Sequence, residues 1–144
     1  MHEKMIALCA AVGAAGAVVA EALGGWDDAV FTLIMFMAAD FVLGLLCALI
    51  FHKSAKTANG GLSSSVCAQG IVRKVGTLII VVVAHYVDVL IGGEYVRNAV
   101  VIAFCAAELI SICETAGLMG ILPKPVQAIL NKAIDILKNR EGNK

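Results

Sequence analysis

Four long apolar runs constrain the fold of this chain more than any other feature. They cover residues 5–23, 29–51, 75–91 and 96–119. The second run has Asp40 as its only charge and is long enough for a helix to cross a hydrocarbon layer of about 30 Å. Hydrophobic residues make up 60% of the chain, against about 45–50% in ordinary soluble domains. The sequence therefore predicts an all-α integral membrane bundle with four transmembrane helices.

The first run leaves a three-span topology open. Its start resembles a signal peptide, because Lys4 precedes an apolar stretch rich in small residues. However, the second run follows it almost at once, which favours an uncleaved first span. In the alternative, the first run lies on the membrane surface or is removed, and the N-terminus lies outside.

The chain leaves its last apolar run through a series of helix-ending residues, namely Gly117, Gly120, Pro123 and Pro125. Beyond them, apolar residues recur at three- and four-residue steps while polar residues take the other face, which predicts an amphipathic helix. We therefore divide the chain into a transmembrane domain, residues 1–122, and a cytoplasmic amphipathic tail, residues 123–144. The tail is expected either on the anionic inner leaflet or against a neighbouring subunit.

Basic residues are concentrated in the loop 52–74 and in the segment after Leu122, whereas the two short turns carry mainly acids. Under the positive-inside rule, this pattern places both termini and the middle loop in the cytoplasm. Arg73 and Lys74 are expected to reach the interface as anchors of the third span. The predicted membrane-surface basic residues are Lys53, Lys56, Arg73, Lys74, Lys124, Lys132, Lys138 and Arg140.

Five of the eleven acidic residues lie inside the apolar runs. An acid at the centre of a membrane helix costs about 2.5–3.5 kcal/mol on insertion scales. Glu21 and Glu114 lie near the ends of their runs and can reach the interface. Asp40, Asp88 and Glu108 lie deeper, so they need polar partners or water.

Spacing by helical turns places each deep acid on a face of polar or small residues. The three faces are Asp40, Gly44 and Ala48 on the second span, Thr77, Val81, His85, Asp88 and Gly92 on the third, and Glu108, Ser111 and Thr115 on the fourth. His85 is positioned to hydrogen-bond Asp88. We expect the three faces to converge, because small residues let helices approach and polar side chains bond across the contact.

These faces have two interpretations. They either hold helices together as buried, hydrogen-bonded contacts or line an aqueous lesion when subunits assemble. The candidate residues for both roles are Asp40, Gly44, His85, Asp88, Glu108, Ser111 and Glu114.

Other classes of function have little support. The net charge is zero and no concentrated basic face occurs, which argues against nucleic-acid binding. The five cysteines contain no CxxC spacing, and His85 with nearby acids lacks the ligand set of a metal site. No nucleophile–base constellation is evident. We therefore expect no enzymatic activity, no metal and no cofactor.

Several short pieces, in order, carry a family resemblance from about residue 31 to residue 130. They are Asp40-Phe41 with Gly44 and Ala48, Ser63–Ser65, Gly70-Ile71 ending in Arg73-Lys74, His85 with Asp88, and ELISICE at 108–114 followed by Gly117, Gly120 and Pro123. Together they resemble the toxin-secretion/phage-lysis holin family. Two features depart from its pattern: Thr115 stands where the family usually has asparagine, and the segment 63–69 has fewer lysines.

The resemblance implies a function that hydropathy alone does not. Members of this family accumulate in the bacterial cytoplasmic membrane, associate with copies of themselves and form lesions at a set time. A cell-wall-degrading endolysin, or in some relatives a toxin, then escapes without needing direct contact. A small ion or proton channel or transporter, and a non-conducting membrane subunit of a complex, are the alternatives.

Overall fold

The apolar runs form helices, as their length and composition predict. The computed structural model describes residues 2–141, excluding the side chains of residues 137, 138, 140 and 141. Within that part no strand occurs, and the helices are α1 (His2–Ala22), α2 (Asp28–Leu46) continued by a π-helix (Cys47–Phe51), α3 (Ser64–Ile91), α4 (Tyr95–Met119) and α5 (Lys124–Glu141). Four helical segments are long and apolar enough to cross a membrane. The predicted all-α fold with four candidate spans is confirmed.

Helix α4 is the central element of the bundle, because it packs against both α2 and α3. The buried core between these helices is formed by apolar side chains, with Leu23 from the first turn closing one end. Its members are Leu23, Val30, Leu33, Met37, Val81 and Val101. In contrast, no residue of α1 is buried. The described core therefore belongs to a three-helix unit that α1 joins only at its C-terminal end.

Helix α3 begins earlier than the predicted third span. Ser63 precedes its first residue, but the Ser63 hydroxyl lies 2.9 Å from Ser65 Oγ and makes no capping bond to the backbone. The helix has 28 residues and is about 42 Å long at 1.5 Å per residue. The roughly 20 residues that cross a bilayer, counted back from Ile91, reach Val72. A span of that length ending at Ile91 therefore includes Lys74 close to its N-terminal end.

The helix-ending series after α4 acts mainly through Gly120. This glycine has a φ of 75° and ends the helix in the left-handed conformation, whereas Gly117 remains helical. Helix α5 begins at Lys124, and Pro125 occupies its first turn, where a missing N–H is tolerated. The Gln127 side chain lies against Gly117. Helix α5 thus contacts the end of α4 in its own chain, an arrangement that the sequence had not indicated.

The turn between α1 and α2 depends on Gly24, which provides a clear test of this fold. Its φ is +86°, and an added Cβ would lie 2.5 Å from His85 Nδ1 and 2.9 Å from Arg97 Nε. We expect Gly24→Ala to destabilise the protein by at least about 1–2 kcal/mol from backbone strain alone. Thermal unfolding of the purified protein in detergent measures this. The matched control is Gly13→Ala, where a Cβ meets nothing within 4 Å. Equal midpoints for the two variants would contradict the turn geometry.

Candidate functional site

Lys74 lies between two carboxylates from neighbouring helices. Its Nζ is 3.0 Å from Asp40 Oδ2 on α2 and 2.6 Å from Glu108 Oε2 on α4. The exposed fraction of the side chain is 19% for Lys74, 8% for Asp40 and 15% for Glu108. We call these three residues the charged triad. It joins α2, α3 and α4 through two charge-assisted contacts, a strong class of hydrogen bond.

The positions of the two acids explain why they meet. Asp40 lies near the middle of the segment Asp28–Phe51, and Glu108 near the middle of α4. Because α2 and α4 pack against each other, the two carboxylates lie at a similar depth. The long Lys74 side chain from α3 then reaches both. The triad therefore lies near the middle of two candidate spans.

The structure adds contacts for Lys74 that its predicted role as a membrane-surface anchor did not include. Lys74 pairs with acids of two other helices, because α3 extends past the apolar run and carries this residue into the bundle. The sequence contained a signal for this position. Lys74, Thr77, Val81 and His85 follow one another at three- and four-residue steps, so the polar face of the third span extends back to Lys74.

A cavity of about 490 Å³ lies beside the triad, between α2, the π-helix, the loop 54–63, α3 and α4. The predicted faces of the second and fourth spans both line it, and α3 contributes residues of its N-terminal half. Its lining includes Asp40, Gly44, Ala48, Lys74, Thr77, Glu108, Ser111 and Thr115. Lys56, Arg73 and Glu114 also line it and are exposed. Of the three predicted faces, those of the second and fourth spans thus converge at this cavity, and that of the third contributes only Thr77.

His85 and Asp88 do not join this cavity, and the predicted hydrogen bond between them is not formed. Asp88 instead accepts bonds from the backbone N–H groups of Val96, at 2.9 Å, and Arg97, at 2.7 Å. These are donors at the start of α4, which have no partner within their own helix. The turn at Gly92 and Gly93 brings them to Asp88, so its carboxylate binds the positive end of the α4 dipole.

Arg97 forms a second polar cluster at this end of the bundle. Its guanidinium donates to the carbonyl oxygens of Leu23 and Gly25 and lies 2.7 Å from Asp27 Oδ2. Arg97 is 6% exposed, so its charge needs these partners. The cluster attaches the turn between α1 and α2 to the start of α4. The sequence had not indicated this role for Arg97.

The remaining predicted basic residues fall into two groups. Lys53, Lys56, Arg73, Lys124 and Lys132 are exposed, and their role at the membrane surface stays a prediction. The side chains of Lys138 and Arg140 lie outside the described residues. Among residues 2–141, no group of three His, Cys, Asp or Glu side chains is arranged to hold a metal ion.

Fold and site together define a multi-pass helical membrane protein with charged groups paired between its spans. A family model described as the Bacteriophage holin family matches residues 17–139. The chain belongs to the bacteriophage holin family, which confirms the predicted resemblance.

Relatives are similar over most of their lengths. An uncharacterized protein of Listeria innocua is 35% identical over 129 residues, covering 89% of this chain and 84% of the relative. An uncharacterized protein of Halalkalibacterium halodurans is 35% identical over 146 residues, covering 97% and 98%. An uncharacterized protein of Clostridium perfringens is 28% identical over 123 residues, covering 84% and 83%. No solved structure matches the chain.

The ion pair between Asp27 and Arg97 predicts a pH dependence of stability. The hydrogen bond from Arg97 holds the pKa of Asp27 below its ordinary value, although desolvation opposes the shift. The stabilisation is therefore complete above about pH 4 and is lost as the pH falls through the lowered folded-state pKa. Asp27→Asn should reduce this acid-side loss while keeping the helix cap, since Asn also caps well. Unfolding midpoints between pH 6 and 3 measure it.

Asp28→Asn is the control for that measurement. Asp28 is the next residue and makes no ion pair within the described part of the chain. An unchanged acid-side loss in the Asp27 variant would show that this ion pair is not its source.

The triad predicts an asymmetric response to losing Lys74. Lys74→Met leaves two neighbouring buried carboxylates without their cation, which we expect to destabilise the protein by about 3–5 kcal/mol. Arg73→Met, at an exposed neighbouring position, should change stability by no more than about 0.5 kcal/mol. Combining Lys74→Met with Asp40→Asn and Glu108→Gln should restore much of the loss, because no charge remains. Thermal unfolding in detergent measures all three, and equal effects of the two single variants would exclude the triad.

Proposed function

We propose that this protein is a holin that self-associates in the bacterial cytoplasmic membrane and forms lesions that release an endolysin, or a toxin, at a timed moment. The observation that carries the proposal is the cavity beside the charged triad, lined from three candidate spans in a chain of the holin family. We expect no enzymatic activity. The lipid bilayer and further copies of the chain are its partners, and the endolysin needs no direct contact.

The cavity supplies the chemistry that a lesion needs. Hydroxyl and carboxyl groups of Ser111, Thr77 and Glu108 line it beside apolar surfaces that suit lipid. Reorienting such helices during assembly would move their polar faces from a closed interior to a water-filled boundary. The charged triad opposes that movement in the single chain, because separating Lys74 from its carboxylates exposes charges to a low dielectric.

Association surfaces are also available. Helix α1 has no buried residue, and a Cβ at Gly13 or Gly16 would meet nothing within 4 Å. Small residues let membrane helices approach closely and pack their backbones. We therefore propose α1 as a contact between subunits, which keeps it as a first membrane span and favours four spans over three.

For orientation, we propose that both termini and the loop 52–63 lie in the cytoplasm, with residues 1–122 as the transmembrane domain and 123–144 as the tail. Basic residues at this end support the orientation. In addition, Ala55 of the loop lines the same depression as Gln127 and Leu130 of α5. The loop and the tail therefore lie at one end of the bundle.

Inducible expression in a bacterium, with and without a separately expressed endolysin, tests the function. We expect abrupt growth arrest with the protein alone and lysis only when the endolysin is present. Release of a cytoplasmic reporter enzyme should coincide with arrest, since the lesion must pass a folded protein. The control is the same endolysin expressed alone. It should cause no lysis, because it cannot reach the cell wall without crossing the cytoplasmic membrane.

A channel is the second candidate, favoured by the charged cluster that lies inside a single chain. It predicts tolerated expression and a steady, ion-selective flux with no reporter release. Tolerated expression without flux would instead indicate a non-conducting subunit. Either result contradicts the holin proposal.

A further inference from the structure

The charged triad is not electrically balanced within the bundle. When all three groups are ionised, two carboxylates and one ammonium leave one unit of negative charge. The other charged residues that line the cavity, Lys56, Arg73 and Glu114, are exposed, so solvent screens them. Lys56 acts on Asp40 from a distance, and this screened interaction is weaker than that of a cation in direct contact.

One carboxylate oxygen of the triad, Asp40 Oδ1, marks the place where a compensating positive charge would bind. Asp40 Oδ2 contacts Lys74, but Asp40 Oδ1 is buried and accepts no hydrogen bond from residues 2–141. Asp40 itself is only 6% exposed. A buried carboxylate oxygen without a donor or cation carries the full cost of desolvation. The Ser111 hydroxyl lines the same cavity near the Asp40 carboxyl and is the alternative donor within the chain, although it makes no hydrogen bond of good geometry to Oδ1.

The space beside Asp40 is much larger than a proton requires. The cavity volume of about 490 Å³ accommodates an ion with several waters, since one water occupies about 30 Å³. Hydroxyl oxygens of Thr77 and Ser111 line it. The change from α-helix to π-helix at Cys47 and Ala48 also borders it, and such irregular turns occur often at functional sites.

We propose that this cavity binds one small monovalent metal cation, Na⁺ or K⁺, with Asp40 Oδ1 as its anchoring ligand. Monovalent charge matches the single unit of uncompensated negative charge. Ca²⁺ and Mg²⁺ do not fit, because they favour sets of several oxygen ligands with more carboxylate charge than the triad retains beside Lys74. The bound ion neutralises the cluster and stabilises the packed arrangement of α2, α3 and α4.

The test is thermal unfolding of the purified full chain in detergent at pH 7, in NaCl, KCl or N-methyl-D-glucamine chloride at one ionic strength. A ligand that binds only the folded state raises the midpoint with its concentration. We expect a rise of a few degrees in Na⁺ or K⁺ relative to the bulky organic cation. No difference among the three salts would overturn the proposal. The assay involves no lysis, so its outcome is separate from that of the proposed function.

Variants locate the ion. Asp40→Asn should abolish the response to Na⁺ and K⁺, and its midpoint in N-methyl-D-glucamine should be no lower than that of the parent, because the triad becomes neutral. Glu114→Gln is the matched control, an exposed carboxylate of the same cavity, and should keep the full response. A response that survives Asp40→Asn would place the ion elsewhere. If that variant does not fold, Glu108→Gln, which also neutralises the triad, should lose the response.

Two rival partners of Asp40 Oδ1 give different results. In the first, the unfolding midpoint of the parent does not respond to Na⁺ or K⁺ but rises on acidification, and Asp40→Asn removes that rise. The partner of Asp40 Oδ1 is then a proton. If the parent shows no cation response and Ser111→Ala alone lowers the midpoint, the partner is the Ser111 hydroxyl. Either outcome overturns the cation site.

Discussion

The arrangement of the bundle depends on the contact of Lys74 with Asp40 and Glu108. Apolar side chains gain little by leaving lipid for another apolar helix, so apolar packing alone discriminates poorly between helix alignments. A lysine held by carboxylates on two other helices discriminates strongly. Sliding α3 by one turn, about 5.4 Å, would separate Lys74 from both acids and leave three charges in a low dielectric. The triad therefore fixes the register of α3 against α2 and α4.

The second polar cluster acts on the same helices at the opposite end. Asp88 binds the N-terminal N–H groups of α4 across the turn, while Arg97 holds the carbonyl oxygens of Leu23 and Gly25. Every charge in this cluster has a partner of opposite charge or a backbone group. Between the two clusters lies the apolar core around Leu33 and Val81. The helices are thus aligned by polar contacts at two levels and packed by apolar contacts between them.

Sequence reasoning reached the helices and the fourth-span face but not the pairing of charges. Hydropathy and span length are local properties, so the four spans and the polar face of Glu108 and Ser111 follow directly from the residue order. Lys74 borders an apolar run, which predicts a place at the interface, whereas its contacts with Asp40 and Glu108 depend on the continuation of α3 from Ser64.

The predicted hydrogen bond between His85 and Asp88 is wrong for a different reason. The spacing to His85 lies within one helix and is visible in the sequence, whereas its actual partners, Val96 and Arg97, are brought to it by the turn at Gly92 and Gly93. A contact across a turn depends on backbone geometry that residue order does not specify. The same limit applies to Arg97 and the carbonyl oxygen of Leu23, which are far apart in sequence.

Helix α1 differs from the rest of the bundle in what holds it. Its only anchored part is the C-terminal end, through the bond from Arg97 to Leu23, and the family match begins at residue 17, shortly before that point. An apolar helix needs no protein contact to be stable in lipid, because its backbone bonds are internal and its side chains suit the hydrocarbon. Exposure of α1 is therefore compatible with a stable single chain. It also leaves the surface around Gly13 and Gly16 uncovered in the single chain, so the subunit contact proposed for α1 would leave the charged triad in place.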